Sequence, residues 1–517
     1  MIKKSGKKDT KIFINFFDFY TVMTTKEELR IVNAGEEIEK YTREDIGNKA
    51  IGLMYLYNLQ NKYGFKVPEF FIISTDFFKF FSREVNLEKK INDLKKLDDE
   101  YYIGPMYANV HIQELFESFG ERFASFFRSY FAKLSNIDRI KKEIKEFWEK
   151  NKLKFHLEEI DLNLLREENK ILSKIHNLIY RSSSPLEDDK FSFAGVFLSE
   201  VVRMNIFSEP IDNVALSYVL SSLWSPYAEY YIRKHGLQNK KREMAVIIQR
   251  FSESKYKGFV YCIDDQIIIK YKEKNSKNYS IVRYSKDKLN KFENPENYEK
   301  LDRKKLTELY YITSGLMREI STSSMNLPFT KNFCLEFLLD NQGTFNLVQI
   351  RNVPEGLIKN VIRISEYLPK IDKSKIICHA KRGLEYFSVG EISGPAINLL
   401  DYNFDKGYHK KIKKLDQMYK GAIYIVDPHG AFGIINRKEV NPHSRQVLFH
   451  MLTPNKRGII VCSSDDMWEH LHNLYLEDNT FLIRVVIKEK DFALRKIKTG
   501  EKISIYSNGN EAIVYYP

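Results

Sequence analysis

A short apolar run followed by a basic, hydroxyl-rich loop restricts the fold of this chain more than any other feature. Leu178–Tyr180 is apolar, and Arg181 then opens a run of serines that ends at Pro185. The small residues Ala194 and Gly195 follow a few positions later. This order predicts a strand that leads into a loop, where the arginine offers a planar fork of donors and the glycine lets the backbone approach a ligand. Such a loop could hold a polyphosphate, although an ordinary serine-rich surface loop has a similar composition.

Three other stretches surround this loop in a recognisable order, and two of them consist of a pair of short segments. Before it lie GNKAIGL, which begins at Gly47, and VPEFFIIS, which begins at Val67. After it lie SLWSP, which begins at Ser222, and LEF with LVQIRNVP, which begin at Leu335 and Leu347. Together with RSSSPLED and SFAG in the loop itself, these segments resemble the nucleotide-binding domain of pyruvate phosphate dikinase and phosphoenolpyruvate synthase. The resemblance covers roughly the first two thirds of the chain.

The resemblance implies an α+β fold, namely a two-lobed ATP-grasp module. We expect residues 1–215 to form its first lobe and residues 216–365 its second lobe. Within the first lobe, residues 86–178 are rich in Lys, Glu and Leu at helical spacing, which predicts a helical insertion. Residues 375–517 would then form a swivelling β/β/α domain of the phosphohistidine type.

The resemblance also implies a set of ATP-binding residues. They are Lys49, Arg181, Ser199, Gln249, Glu336, Gln349 and Arg351. Glu336 and Gln349 would face each other across a hairpin, and their oxygen atoms suit Mg²⁺. Gln349 and Arg351 are two positions apart, so they share one face of a strand and can both point at phosphates. Arg351, together with Arg181, would stabilise charge on the transferred phosphoryl group.

Structural roles for the same residues stay open at this point. Lys49 could be a solvated lysine at a junction between a loop and a helix, and Ser199 could cap a helix. Gln249–Phe251 resembles the family's hinge, whose backbone would meet the edge of adenine, but it could also be a plain strand end. Glu336 and its neighbours could form an exposed hairpin face with a surface ion pair.

The C-terminal region resembles a domain that carries a phosphorylated histidine in this family. Val389–Pro395 resembles the entry of that domain, and Ile497–Ile505 resembles its closing segment. Its centre differs, because the glycine pair of the family is absent and His443-Ser444 stands where the family has serine before histidine. A neutral imidazole is a competent phosphoryl acceptor, so His443 is the candidate catalytic histidine and His429 a second candidate. The alternative is a structural or surface histidine.

Composition narrows the choice of partners. The net charge of +13 favours anionic ligands, but no nucleic-acid-binding motif accompanies it, and nucleic acid is not indicated. The four cysteines are scattered without a Cys-x-x-Cys pair, which predicts a reduced, cytoplasmic protein without a zinc site. No apolar stretch reaches the length needed to span a membrane.

Taken together, these features predict an ATP-dependent phosphotransferase that uses ATP and Mg²⁺. It would pass a phosphoryl group, by way of a histidine, to a small-molecule acceptor other than pyruvate, since we expect no phosphoenolpyruvate barrel after Pro517. Two alternatives remain open. One is an ATP-dependent ligase, and the other is a nucleotide-binding regulatory protein that has lost the relay. The acidic GLGE stretch of the family is not visible between Lys255 and Lys300, which could alter metal binding or open the site to a different acceptor. The altered His443-Ser444 centre keeps the regulatory alternative open.

Overall fold

Three β-sheets and their surrounding helices make up the part of the chain that the computed structural model describes. The described residues are 30–84, 86–95, 135–151, 170–172, 174–187, 196–204, 213–264, 266–274, 280–285, 301–323, 327–353, 369–381, 388–400, 408–426, 449, 453–462, 480–485, 493–508 and 511–517. Short 3₁₀ helices also occur, at Ile38–Lys40, Ser222–Trp224, Lys373–Lys375 and Ala493–Lys496.

The first sheet is antiparallel, with five strands in the order β1-β2-β5-β3-β4. The strands are β1 Ile31–Asn33, β2 Phe70–Ile73, β3 Leu178–Ser183, β4 Ser199–Val202 and β5 Ala245–Arg250. The helices of this part are α1 Arg43–Tyr63, α2 Thr75–Glu84, α3 Leu87–Lys95, α4 Ile137–Asn151, α5 Asn213–Ser221 and α6 Pro226–Lys234. The continuous apolar sequences of β2 and β5 suit strands that are buried on both faces.

The second sheet is also antiparallel, with strands in the order β10-β9-β6-β7-β8. The strands are β6 Tyr256–Ile263, β7 Gln266–Glu273, β8 Ser280–Ser285, β9 Phe333–Leu339 and β10 Phe345–Asn352, and helix α7 spans Arg303–Thr322. Alternate residues of β9, such as Leu335 and Phe337, are fully buried in a core shared with α1 and α7. The other face of β9 carries Glu336, which is where a polar site can form.

The third sheet lies in the C-terminal region and is mixed. Its seven strands have the order β11-β17-β16-β12-β13-β14-β15, with β12 to β15 parallel and the others antiparallel. The strands are β11 Ile376–Lys381, β12 Gly390–Asn398, β13 Ile423–Val426, β14 Gly458–Cys462, β15 Phe481–Val485, β16 Lys502–Ser507 and β17 Glu511–Tyr515, and helix α8 spans Tyr408–Met418. The two segments that resemble the ends of a swivelling domain lie side by side here, on β12 and β16.

The α+β class is confirmed by this mixture of helices and antiparallel sheets. In the stretch 86–178, the described residues include the helices α3 and α4, and its last residue already begins β3. None of the helices in the described ranges combines the length and apolar character that a membrane crossing needs.

The four cysteines are free, and three of them are fully buried. Burial raises the pKa of the Cys334 thiol to about 11 and that of Cys378 to about 12, and it raises the pKa of Cys262 well above its ordinary value. At pH 8 these three thiols are therefore protonated, and those of Cys262 and Cys334 are inaccessible as well, whereas only a thiolate reacts rapidly. We expect Ellman's reagent to modify the native protein at least about tenfold more slowly than the unfolded chain, which should release four equivalents. Rapid reaction of three or four thiols in the native protein would contradict this burial.

Candidate nucleotide-binding site

A β-bulge in β10 turns its polar residues away from the core. Leu347 is in register with Phe337 and is fully buried, whereas Gln349 is in register with Glu336. Val348 is therefore the extra residue of the bulged strand. Side chains alternate along a strand, so without the bulge Gln349 and Arg351 would face the same side as Leu347. The bulge instead places both on the face that carries Glu336.

The Arg181 guanidinium connects the first sheet to this bulge. Its Nη1 donates to the carbonyl oxygen of Val348 at 2.5 Å and to Oε1 of Gln249 at 3.2 Å. Its Nη2 donates to Oε1 of Gln349 at 2.5 Å and lies 3.8 Å from Oε2 of Glu336. One side chain of β3 thus holds both the backbone and the side chains of the β9–β10 hairpin. The planar fork of arginine suits this arrangement, which lysine could not reproduce.

Arg181 is a buried charge, while its carboxylate partner is accessible. The Arg181 side chain is 9% exposed and that of Glu336 is 38% exposed. Burial lowers the pKa of Arg181, although the carboxylates of Glu336 and Glu187 favour its charged form. A buried cation is costly unless it is paired and hydrogen-bonded, so these contacts are what the guanidinium needs.

A tight backbone approach brings helix α1 to the end of β3. Gly47 has φ 75° and ψ 162°, which interrupts the helical conformation. A Cβ atom at this position would lie 2.3 Å from the carbonyl oxygen of Ser183, so only glycine fits. The Ser183 hydroxyl donates to the carbonyl of Ile46 at 2.7 Å and accepts from the N–H of Ala50 at 3.0 Å. These contacts fix Lys49 beside the serine run.

Lys49 is a buried residue with an ionic partner, which rules out a solvated lysine. Its Nζ lies 2.7 Å from Oε1 of Glu187 and 3.1 Å from Oγ of Ser182. The Lys49 side chain is 10% exposed and that of Glu187 is fully buried. Glu187 was not among the predicted site residues. The spacing of Ser184 and Glu187 is that of a capping box, and indeed the Ser184 N–H donates to Glu187 Oε2 at 3.0 Å.

Gln249 lies at the site, but its side chain serves Arg181. Its amide oxygen accepts from Arg181, and its Nε2 donates to the carbonyl of Pro68 at 3.3 Å. The residue is 1% exposed and belongs to the central strand β5, which pairs on both edges. Gln249 therefore orients the buried arginine in this structure.

The two residues after Gln249 use their backbone donors within the protein. The N–H of Arg250 donates to the carbonyl of Glu69 at 2.8 Å, and that of Phe251 donates to the carbonyl of Asn177 at 2.8 Å. An adenine edge would therefore have to meet other groups of this segment, such as its carbonyl oxygens. The expected contact between the backbone of this segment and an adenine edge stays a prediction.

Of the remaining predicted residues, the structure describes Ser199 and Arg351 but not the candidate histidines. Ser199 begins the edge strand β4, is exposed and is in register with Arg181, so it does not cap a helix. Arg351 is half-buried and pairs with Cys334, which lies two positions before Glu336 on β9. The candidates His443 and His429 and the turn at 194–195 lie outside the described residues.

Lys270 is a further cation on the face of Glu336 that the sequence did not single out. Phe259 is in register with Glu336 on one side and with Lys270 on the other, so the three side chains share one face. Lys270 is buried, at 5% exposure. Both Lys270 and Arg351 lower the pKa of Cys334, which burial raises. The sequence signal that could have revealed Lys270 is the alternation of Lys270 and Lys272 within the otherwise apolar strand β7.

The donor set at this face is compatible with a magnesium ion. Glu336 offers an accessible carboxylate and Gln349 an amide oxygen, and these hard oxygen donors are of the type that Mg²⁺ takes alongside phosphate oxygens. Across the described residues, no group of three or more His, Cys, Asp or Glu side chains is arranged to hold a metal by itself.

Comparison with solved structures finds distant similarities to enzymes. D-alanyl-alanine synthetase A from Vibrio cholerae is 9% identical, with 42% of this chain and 46% of that chain covered and a TM-score of 0.18. A RiPP-associated ATP-grasp ligase from Chryseobacterium gregarium is 10% identical, with 52% and 67% covered and a TM-score of 0.17. ATP citrate lyase from Methanothrix soehngenii is 12% identical, with 66% and 91% covered and a TM-score of 0.17. TM-scores this low support no conclusion about this chain.

Comparison with protein families gives a more specific result. The model of the family described as pyruvate phosphate dikinase, AMP/ATP-binding domain, matches residues 43–285. A search of curated proteins finds no match. The matched segment contains Lys49, Arg181 and Gln249, and it begins where helix α1 begins. Residues 43–285 are therefore similar to the AMP/ATP-binding domain of the pyruvate phosphate dikinase family.

Proposed function

We propose that this chain is an ATP-dependent phosphotransferase that binds Mg·ATP where the first and second sheets meet. The observation that carries the proposal is the buried Arg181 guanidinium, which reaches from the first sheet to Gln349 and Glu336 of the second. Arg181 lies within the residues that match the AMP/ATP-binding domain model and contacts the second sheet, so it is placed to respond to a charged ligand that contacts both sheets.

The cationic side chains where the first and second sheets meet suit the negative charge of a triphosphate. Lys49 and Arg181 lie on the first lobe, and Arg351 and Lys270 lie on the polar face of the second sheet. Lysine binds phosphate as a point charge, whereas arginine can form two parallel hydrogen bonds to it. In the proposed site, Arg181 and Arg351 stabilise the charge that develops on the transferred phosphoryl group. Catalysis of phosphoryl transfer is largely positioning and electrostatic stabilisation of this kind.

Glu336 and Gln349 would hold the magnesium ion. Bound there, the ion would supply positive charge that offsets the negative charge of the phosphates. Gln349 Oε1 now accepts from Arg181 at 2.5 Å, so the same arginine that would meet phosphate also orients a metal ligand. Loss of any one of these three side chains should therefore disturb the other two.

The second half of the proposed reaction uses His443. Its imidazole nitrogen attacks the β-phosphorus of ATP, the bond to the α-phosphate oxygen breaks, and water takes up the γ-phosphoryl group. AMP, phosphate and a phosphohistidine result, and the phosphoryl group then passes to the hydroxyl or carboxylate of a small acceptor. This assignment of His443 depends on the sequence resemblance alone.

Product analysis tests the proposal. Wild type and His443→Ala are mixed with Mg·ATP, AMP and ADP are quantified, and the intact mass of the protein is measured. We expect AMP and a phosphoryl adduct of the wild type, both absent from the variant. ADP and phosphate formed only with a carboxylate and an amine present would favour a ligase instead. ATP bound tightly but never turned over would favour a regulatory protein.

The substitution Glu336→Gln tests the role of Glu336 in metal binding while leaving the fold intact. The substitution keeps the shape of the side chain but removes the charge that suits Mg²⁺, so we expect turnover to fall by about 10²-fold. The Mg²⁺ concentration for half-maximal activity should rise as well. Initial rates over a Mg²⁺ titration measure both effects. Glu253→Gln is the control, because Glu253 is 68% exposed and pairs with Lys274 at the surface. Equal effects of the two substitutions would contradict a metal role for Glu336.

A further inference from the structure

The Lys49 ammonium is held at two of its three donors. It donates to Glu187 Oε1 at 2.7 Å and to Ser182 Oγ at 3.1 Å. An ammonium group carries three N–H donors, and the described residues supply no partner for the third. Two fixed hydrogen bonds define where that third N–H points. The Lys49 side chain is 10% exposed, so a ligand atom can approach it.

The Glu187 carboxylate is itself fixed from several directions. Besides Lys49, it accepts from the Ser184 N–H at 3.0 Å and from the Ser182 hydroxyl at 3.3 Å. It is fully buried. Removal of one partner from a buried ion pair leaves an uncompensated charge, so Glu187 cannot turn away from Lys49 without a large penalty. Glu187 is thus a rigid support for the lysine.

Asn48 fixes the backbone of Glu187. Its Nδ2 donates to the carbonyl oxygen of Glu187, and the residue is 2% exposed. Its Oδ1 has no hydrogen-bond partner among the described residues, so the contact with Glu187 alone sets the orientation of the amide. A glycine at position 48 would have no side chain to make this contact.

We propose that Glu187 is a positioning residue that aims the third N–H of Lys49 at a phosphate of the bound nucleotide, with Asn48 holding Glu187 in place. The inference rests on the proposed function, because it takes the phosphates of ATP as the ligand of Lys49. Glu187 contacts no phosphate itself. Its effect on nucleotide affinity therefore passes mainly through Lys49, with which it forms a direct ion pair.

A double-mutant cycle tests this dependence. Lys49→Met and Glu187→Gln are made singly and together, and the dissociation constant of Mg·ATP is measured by calorimetry. We expect each single substitution to weaken binding about tenfold, and the double variant to be no weaker than Lys49→Met alone, since coupled neighbours are not additive. Glu187→Asp should restore part of the affinity. A purely structural role predicts additive losses near 100-fold, which would overturn the proposal, as would unchanged affinity in Glu187→Gln.

A second measurement needs no nucleotide. Fluorodinitrobenzene labelling followed by peptide mass spectrometry gives the rate of modification at each lysine. We expect Glu187→Gln to change the labelling rate of Lys49 at least about threefold, while Lys142, 78% exposed, keeps its rate as an internal reference. An unchanged rate at Lys49 would overturn the positioning role. If the wild type binds no ATP at all, the proposed function fails, and the labelling result still decides whether Glu187 controls Lys49.

Discussion

Replacement of Arg181 by alanine should lower ATP turnover by about 10²–10³-fold and destabilise the fold by about 3–5 kcal/mol. The rate falls because the substitution removes a preorganised cation at the proposed phosphate site. The fold weakens because Gln249, Gln349 and the carbonyl of Val348 lose their donor together. A buried acceptor without a donor carries the full cost of its desolvation.

Two further variants separate these effects. Arg181→Lys keeps a positive charge but cannot reach the same acceptors as a planar fork, so we expect most of the turnover loss to remain. Arg139→Ala is the matched control, since Arg139 is 62% exposed and pairs with Glu143 one helical turn away. Initial rates and chemical denaturation measure the two quantities. Full activity in Arg181→Lys would contradict the role of the fork.

The second large effect is expected at Gly47. Gly47→Ala should destabilise the protein by about 3 kcal/mol or more, because a positive φ disfavours a side chain and because the new methyl group meets a backbone oxygen. That oxygen belongs to Ser183 and would lie 2.3 Å from the added Cβ. To relieve the contact, α1 must move away from β3, and Lys49 would move with it. ATP affinity should therefore fall together with stability.

Gly64→Ala isolates the contribution of the contact. Gly64 ends α1 with φ 73°, close to the value at Gly47, but a Cβ there would meet nothing within 4 Å. We expect it to cost about 1 kcal/mol and to leave ATP binding unchanged. Denaturant unfolding of both variants gives the difference. Equal destabilisation at the two glycines would show that the close approach to Ser183 does not constrain the site.

The sequence predicted the strands of the site because their patterns are local. Leu178–Tyr180 begins β3, and the hairpin of β9 and β10 pairs Glu336 with Gln349 as expected. The α+β class follows from many such segments. The family match over residues 43–285 agrees with the resemblance seen in the motifs.

What the sequence did not predict depends on three-dimensional contacts. The i, i+2 rule placed Gln349 and Arg351 on one face, but it did not reveal the bulge at Val348 that separates them from Leu347. Glu187 lies 138 positions from Lys49, and no local pattern connects them. Similarly, no local pattern predicted that the Gln249 side-chain amide accepts a hydrogen bond from Arg181. These contacts are set by how elements far apart in the sequence pack together rather than by the period of any strand.

The central claim is that Mg·ATP binds where Arg181 connects the first and second sheets, and calorimetric titration tests this claim most directly. Wild type and Arg181→Lys are titrated with Mg·ATP under identical conditions, after circular dichroism has shown that both are folded. We predict a single site in the wild type and at least about tenfold weaker binding in the variant, since a bidentate arginine contact is not replaced by lysine. Folded wild type that binds no ATP, or equal affinity in the two proteins, would contradict the account.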